Sequence, residues 1–247
     1  MMRWIMPLVI CWGLVSEGVL AAPVRTGTPI GVNAGQTNTG NTTVTVPNDA
    51  DLMVCGVSGY IGTAGFFSGG SLTVGGNAFT LITGGDSSTD FWMGTIGHRL
   101  VTTTRGSQTL AWDWTGTSNP GDNVGIYCSW YKDLDTASPI RSSSCGAQNG
   151  GGQKTTGTLT AQTGDLIVAA VASVAGSEQT FTWANATSVA EFTIFLNTDG
   201  SIGEASPTGN QTVSATPSPD GDGTVCAVTI KPSAAGSLQL RRPPLIY

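Results

Sequence analysis

One histidine, His98, stands in the segment Gly-Thr-Ile-Gly-His-Arg-Leu. A nucleophilic triad needs such a base beside a Ser or Cys, and a third group to orient it. No Gly-x-Ser-x-Gly elbow accompanies His98, and Ser-Gly-Gly-Ser at 68–71 reads as a turn. One histidine and scattered cysteines do not make a zinc site. Calcium needs only oxygens, so Asp220 and Asp222 in Ser-Pro-Asp-Gly-Asp-Gly-Thr (218–224) are the candidate ligands. The same segment also lies where a hairpin turn is needed, and Asp-Gly is the commonest turn chemistry, so the turn is the reading preferred over calcium. Asn-Pro-Gly-Asp-Asn at 119–123 fills the corresponding place earlier in the chain. A glycosidase would need two facing carboxylates. Glu178 and Glu191 flank one strand-like segment, but spacing singles out no pair. The expectation is a protein without catalysis.

Aromatic side chains give the main hint of binding. In Ser-Gln-Thr-Leu-Ala-Trp-Asp-Trp, alternation puts Leu110, Trp112 and Trp114 on one face. That face is either core or a flat platform for sugars. Tyr60, Phe66 and Phe67 lie in the glycine-rich stretch 59–70, where apolar rings in a loop are candidates for ligand contact. Weak glycan binding at loops of one sandwich end is the expected activity. Asn41, Asn185 and Asn210 each begin an Asn-x-Thr sequon, which matters in a host that glycosylates exported chains.

The elements that must carry these residues are strands. Glycine numbers 35 of 247 residues, charged residues are 11%, and Lys plus Arg number 10. Scarce long polar side chains, many Thr and Val, and frequent glycine favour pleated strands joined by turns. A net charge of −6 with no basic run excludes nucleic acid and an anionic membrane surface as partners.

The first 21 residues read as a signal peptide. Arg3 precedes a 12-residue apolar run at 4–15, and Val19 and Ala21 set cleavage after Ala21. That run is short of the ~20 residues that cross a bilayer, so no membrane span is expected after cleavage. Cys55, Cys128, Cys145 and Cys226 remain as disulfide candidates in an oxidising compartment, with three connectivities open.

The chain repeats itself. Asp-Leu-Met-Val-Cys at 51–55 parallels Asp-Leu-Ile-Val-Ala at 165–169, and Gly-Ser-Gln-Thr-Leu at 106–110 parallels Gly-Asn-Gln-Thr-Val at 209–213. Residues 121–132 then parallel 221–231, with a one-residue difference that leaves the register open. The organisation expected is a signal peptide (1–21), a linker (22–40), a first repeat (41–135), a connector (136–153), a second repeat (154–232) and a tail (233–247). About ten to twelve short strands imply an all-β fold, a two-sheet antiparallel β-sandwich or jelly roll. Each repeat would form half of it.

The segments Val-Thr-Val-Pro-Asn-Asp-Ala-Asp-Leu-Met-Val-Cys-Gly-Val-Ser-Gly-Tyr (44–60), Tyr-Lys-Asp-Leu-Asp-Thr-Ala-Ser-Pro-Ile-Arg-Ser-Ser-Ser (131–144), 163–174 and 225–234 carry a resemblance. They are similar to duplicated Gly/Thr-rich β-sandwich proteins of bacterial secreted surfaces and phage virions. The resemblance spans roughly 43–234 and its motifs are structural. It implies display or adhesion, with glycan binding, by a secreted protein. The alternative it implies is a virion structural component, a decoration or tail-associated protein with a virion or homo-oligomer partner. An extracellular polysaccharide-active enzyme stands third. The runner-up fold is immunoglobulin-like, on the Cys55 to Cys128 separation and the Asp-Asn-Val-Gly-Ile-Tyr-Cys segment. Its Tyr127 stands one residue before the cysteine rather than two.

Overall fold

The computed structural model describes residues 21–35, 39–60, 70–83, 92–114, 123–148, 151–175, 177–195 and 198–233. In chain order the strands are β1 (Val24–Gly35), β2 (Thr39–Val46), β3 (Leu52–Tyr60), β4 (Ser71–Val74), β5 (Asn77–Ala78), β6 (Thr80–Thr83), β7 (Trp92–Leu100), β8 (Gly106–Asp113) and β9 (Asn123–Lys132). They continue with β10 (Ile140–Gln148), β11 (Lys154–Thr155), β12 (Leu166–Val174), β13 (Thr180–Ala184), β14 (Thr187–Phe195), β15 (Thr198–Ala205), β16 (Ser214–Ser218) and β17 (Asp222–Ile230).

The all-β sandwich class holds, but the described strands make four antiparallel sheets, not two. Five-stranded sheets run β1-β9-β3-β7-β6 and β10-β17-β12-β15-β14. Smaller sheets run β2-β8-β4-β5 and β11-β16-β13. Each small sheet covers one face of a large one, and the two large sheets pack face to face. Three apolar layers result. Met53, Cys55, Val57, Leu110 and Trp130 fill the first sandwich. Ile167, Ala169, Val171, Phe181 and Val225 fill the second. Leu52, Val54, Tyr127, Val168, Ala170 and Val228 fill the seam between them. Each sandwich therefore has its own core, which a half-sandwich would lack.

This layering explains the unbroken apolar runs. Successive residues of a strand point to opposite faces. In β3, Leu52 and Val54 face the seam while Met53 and Cys55 face the first core. Strands β12 and β17 do the same, so both faces need apolar side chains. The two large sheets share one strand order when β1, β9, β3, β7 and β6 are set against β10, β17, β12, β15 and β14. Pairing also fixes the register left open above. Leu52 stands opposite Tyr131 and Leu166 opposite Ile230, which sets Lys132 against Lys231.

Two segments expected as linker and connector are strands. β1 lies within 22–40 and β10 within 136–153. Both are edge strands of the large sheets. An edge strand is half-solvated and needs no apolar run, so glycine, serine and threonine disguise it. The Gly75-Gly76 turn joins β4 and β5 in a hairpin, with positive φ at both glycines. The segment before β17 is not a hairpin, because β16 and β17 belong to different sheets.

Candidate functional site

Trp112 and Trp114 belong to the first core, at 6% and 0% exposure. β8 presents Trp112 inward with Leu110, Trp114 packs into the same core just past the end of that strand, and no broad indole face is left for a sugar to stack on. Burial thus decides the two readings of that alternation in favour of core. Tyr60 ends β3, and its side chain lies outside the described residues, as do Phe66 and Phe67. Residues 1–20 of the expected signal peptide (1–21) and 234–247 of the expected tail (233–247) lie outside them too.

The four cysteines form two bridges, Cys55–Cys128 and Cys145–Cys226. Each joins register partners on neighbouring strands, β3 to β9 and β10 to β17. An immunoglobulin bridge links two sheets, so the runner-up fold is set aside. Two disulfides fit an oxidising compartment.

Asp220 is exposed and Asp222 half-exposed at the entry to β17. Beside them lies Lys154, whose side chain is fully buried. Burial pushes its ammonium pKa down, while Asp222 and Asp220 act to raise it. Lys154 Nζ also donates to the carbonyl of Gly152 at 3.1 Å. The two carboxylates therefore already answer a buried cation. Calcium takes six to eight oxygens. Among the described residues no group of three or more His, Cys, Asp or Glu side chains could hold a metal ion.

His98 sits half-buried on β7, in register with Val54 and Thr80. Burial lowers its pKa. Glu178 and Glu191 do come close, but around a third carboxyl that the sequence did not reveal. Asp199 is 1% exposed, and its Oδ2 accepts the Gln179 amide at 2.6 Å. Burial raises its pKa, and the charges of Glu178 and Glu191 raise it further. A carboxyl so enclosed cannot reach a polysaccharide.

Sequence reasoning missed two grooves. The first is polar, with a volume of about 640 Å³, and lies on the second sandwich. Asn185, Thr187, Glu204, Ser206 and Gln211 line it, above the apolar Leu166. Asn185 holds φ at 60° in the tight turn between β13 and β14 and donates its Nδ2 to the Thr212 carbonyl at 3.0 Å. Glu204 projects from β15 at the seam. Its Oε1 accepts the Tyr131 hydroxyl at 2.9 Å and stands 2.9 Å from Arg25 Nε. Burial and the neighbouring Glu204 charge hold the Tyr131 pKa far above its ordinary value, so it remains a donor. The first sandwich thereby fixes one carboxylate oxygen of a groove on the second. The Asn-x-Thr sequons at 185 and 210 were the signal for this place, since Asn185 and Gln211 both line it.

The second is a slot of about 480 Å³ between β1 and β2. Ile30, Val32, Val44, Pro47 and Trp130 line it together with Thr28, Thr42, Thr43 and Thr45, and none of the described lining residues is ionisable. The ladder from β1 to β9 lapses between Thr26 and Ile30, where three residues oppose one. This irregularity lifts the edge strand over Trp130. Gly27, with φ 69°, makes the bend, and a Cβ there would meet Pro47 at 2.8 Å.

No protein-family profile, no curated protein and no solved structure matches the chain.

Proposed function

We propose that this chain is an exported, non-catalytic display or adhesion module that binds uncharged glycans weakly. The polar groove carries the reading. Two amides, two hydroxyls and a pinned carboxylate converge on one open surface. Such a set matches the alternating donors and acceptors of sugar hydroxyls. Its volume lies within the ~300–1,000 Å³ common for small-ligand sites. With Arg25 and Tyr131 holding Glu204, that acceptor is oriented before a ligand arrives. Export is supported by the N-terminal segment and by two disulfides.

Affinity electrophoresis through neutral polysaccharides tests the proposal. Retardation without new reducing ends is expected, with loss of retardation in an Asn185→Ala/Gln211→Ala variant. New reducing ends would make the protein an enzyme. Unretarded migration in every polysaccharide would sink glycan binding.

A further inference from the structure

We infer that the Cys145–Cys226 bridge is a site of thiol–disulfide exchange, which an external dithiol opens while the chain stays folded. Exchange needs a sulfur that a thiolate can reach. The two bridges differ in this respect. Cys55 and Cys128 are both 0% exposed, on the inner strands β3 and β9 of their sheet. They lie in the first core with Met53, Val57 and Trp130. Cys145 is instead half-buried on the edge strand β10, and its partner Cys226, at 1%, is the enclosed member of the pair. The outer bridge therefore offers a nucleophile a way in at Cys145, and the inner bridge offers none at either end.

A second observation concerns the opened form. The outer bridge lies on the seam side of its sheet. Cys145 Sγ stands 3.7 Å from the Ile82 carbonyl oxygen, and Cys226 Sγ stands 3.6 Å from that of Gly94. Both carbonyls belong to the first sandwich. A bridged sulfur has no proton to give, whereas a thiol is a weak donor. Each thiol formed by reduction thus has an acceptor already in place. The strands need not part either, since β10 and β17 are held in register from Ser142 to Gln148 by backbone pairing.

The exchange balances. A thiolate of the dithiol attacks Cys145 Sγ, the S–S bond breaks, and Cys226 leaves and takes up a proton. The second thiol then attacks the reductant's own sulfur in the mixed disulfide and releases Cys145. The dithiol loses two electrons and closes to a cyclic disulfide; its two protons end on Cys145 and Cys226. The bridge shares no residue with the polar groove, so the inference and the glycan reading fail separately.

Dithiothreitol on the full chain in native buffer is the test. N-ethylmaleimide first blocks Cys11 wherever that residue is retained, and iodoacetamide then marks the cysteines that the dithiol opens. Peptide masses locate the label, and near-ultraviolet circular dichroism follows the buried tryptophans. Label is expected on Cys145 and Cys226 alone, with the tryptophan bands kept. The monothiol 2-mercaptoethanol should leave its mixed disulfide on Cys145 and not on Cys226. Cys55→Ala/Cys128→Ala, where it folds, should open its remaining bridge at the parent's rate; where it does not fold, the parent chain decides alone. Label on Cys55 and Cys128 before or together with the outer pair would overturn the inference. So would label that appears only as the tryptophan bands are lost, a bridge that resists the dithiol until denaturant is added, or an adduct on Cys226.

Discussion

Where the first sandwich sets Cys55 opposite Cys128, the second sets Ala169 opposite Ala227 at the matching register. The second places its own bridge one strand outward, Cys145 to Cys226, where the first has Gly31 opposite Tyr127. A similar exchange occurs in the small sheets. The first pairs Gly40 on β2 with Trp112 on β8. A Cβ on Gly40 would lie 2.5 Å from that indole, so the ring fills the glycine's space. The second pairs Lys154 with Ala215, and the long chain comes from the other strand. Two sandwiches of one strand order thus reach filled cores with different side chains. Volume and pairing are held in common, while the residue that supplies them is not. This is the tolerance expected when a core is packed to a density rather than to a list of residues.

The seam obeys a second regularity. β1 packs on β14 and β6 on β10, while β3 packs on β12. Counterpart strands therefore face one another in reversed order, as in an isologous contact between two copies. Gly56 and its counterpart Ala170 meet there. A Cβ on Gly56 would come within 2.7 Å of Ala170 and 2.2 Å of the Tyr127 ring. Tyr127 lies over the glycine and donates its hydroxyl to the Val171 carbonyl at 2.8 Å. The polar groups at the seam are unequal, however. Glu204, opposite Val168, meets Arg25 and Tyr131, whereas its counterpart by register, His98, stands opposite Val54.

The largest test of the comparison is Trp112→Ala. Without the indole the space over Gly40 is a cavity, and the loss should be about 3–5 kcal/mol in chemical denaturation. Lys154→Met keeps most of the volume and should change stability by less than a third as much. Equal losses would mean that the two side chains do not serve the same packing role.

Next comes the removal of Cys55–Cys128 by the Cys55→Ala/Cys128→Ala double variant, which gives the first sandwich the alanine pair of the second. A cost of about 2–5 kcal/mol is expected. The same cost should follow from opening Cys145–Cys226. A single unfolding transition in both variants would make the four sheets one cooperative unit; two transitions would divide it at the seam.

A smaller loss is expected at the seam. Gly56→Ala adds the methyl that Ala170 already carries, against a ring that has no room to retreat. Overpacking of this kind costs about 1–3 kcal/mol. Ala170→Gly should cost less, since it only removes a methyl. Reversal of that order would show that the two large sheets can part without penalty.

Much of this was legible in the sequence, and the failures share causes. The apolar runs at 52–57 and 166–172 have the composition of central strands, which β3 and β12 are, and Gly75-Gly76 is the pair that a tight hairpin takes. The edge strands β1 and β10 were hidden because one side of each is solvated, so Thr, Gly and Ser serve as well as Val. The count of sheets was hidden because alternation tells which residues share a face, not what covers that face. Trp112 was ambiguous for the same reason. Of the polar groove the sequence shows only the sequons at 185 and 210: Glu204 is held by Arg25 and Tyr131, which are distant in the chain and meet only when the large sheets stack. Asp199 likewise joins Glu178 and Glu191 through strand pairing, not through spacing.

The finest contrast is in pH. His98 in the first sandwich has a folded pKa lowered by burial. Its unfolded form binds protons more readily, so its contribution is present above pH ~6.5 and is lost as pH falls below that value. Asp199 in the second has a folded pKa raised by burial and then by Glu178 and Glu191. Its contribution is complete below the unfolded value of ~3.9 and is lost as pH rises through the raised folded value. The two slopes are opposite. His98→Gln should flatten the fall in stability below pH ~6.5 and leave the higher range unchanged. Asp199→Asn should be more stable than the parent at neutral pH, with the advantage vanishing toward pH ~3.9. Denaturation midpoints of both variants across that range give the measurement. An Asp199→Asn chain that is less stable than its parent at neutral pH would mean that the carboxylate is held there as a charge, by groups other than the two glutamates around it.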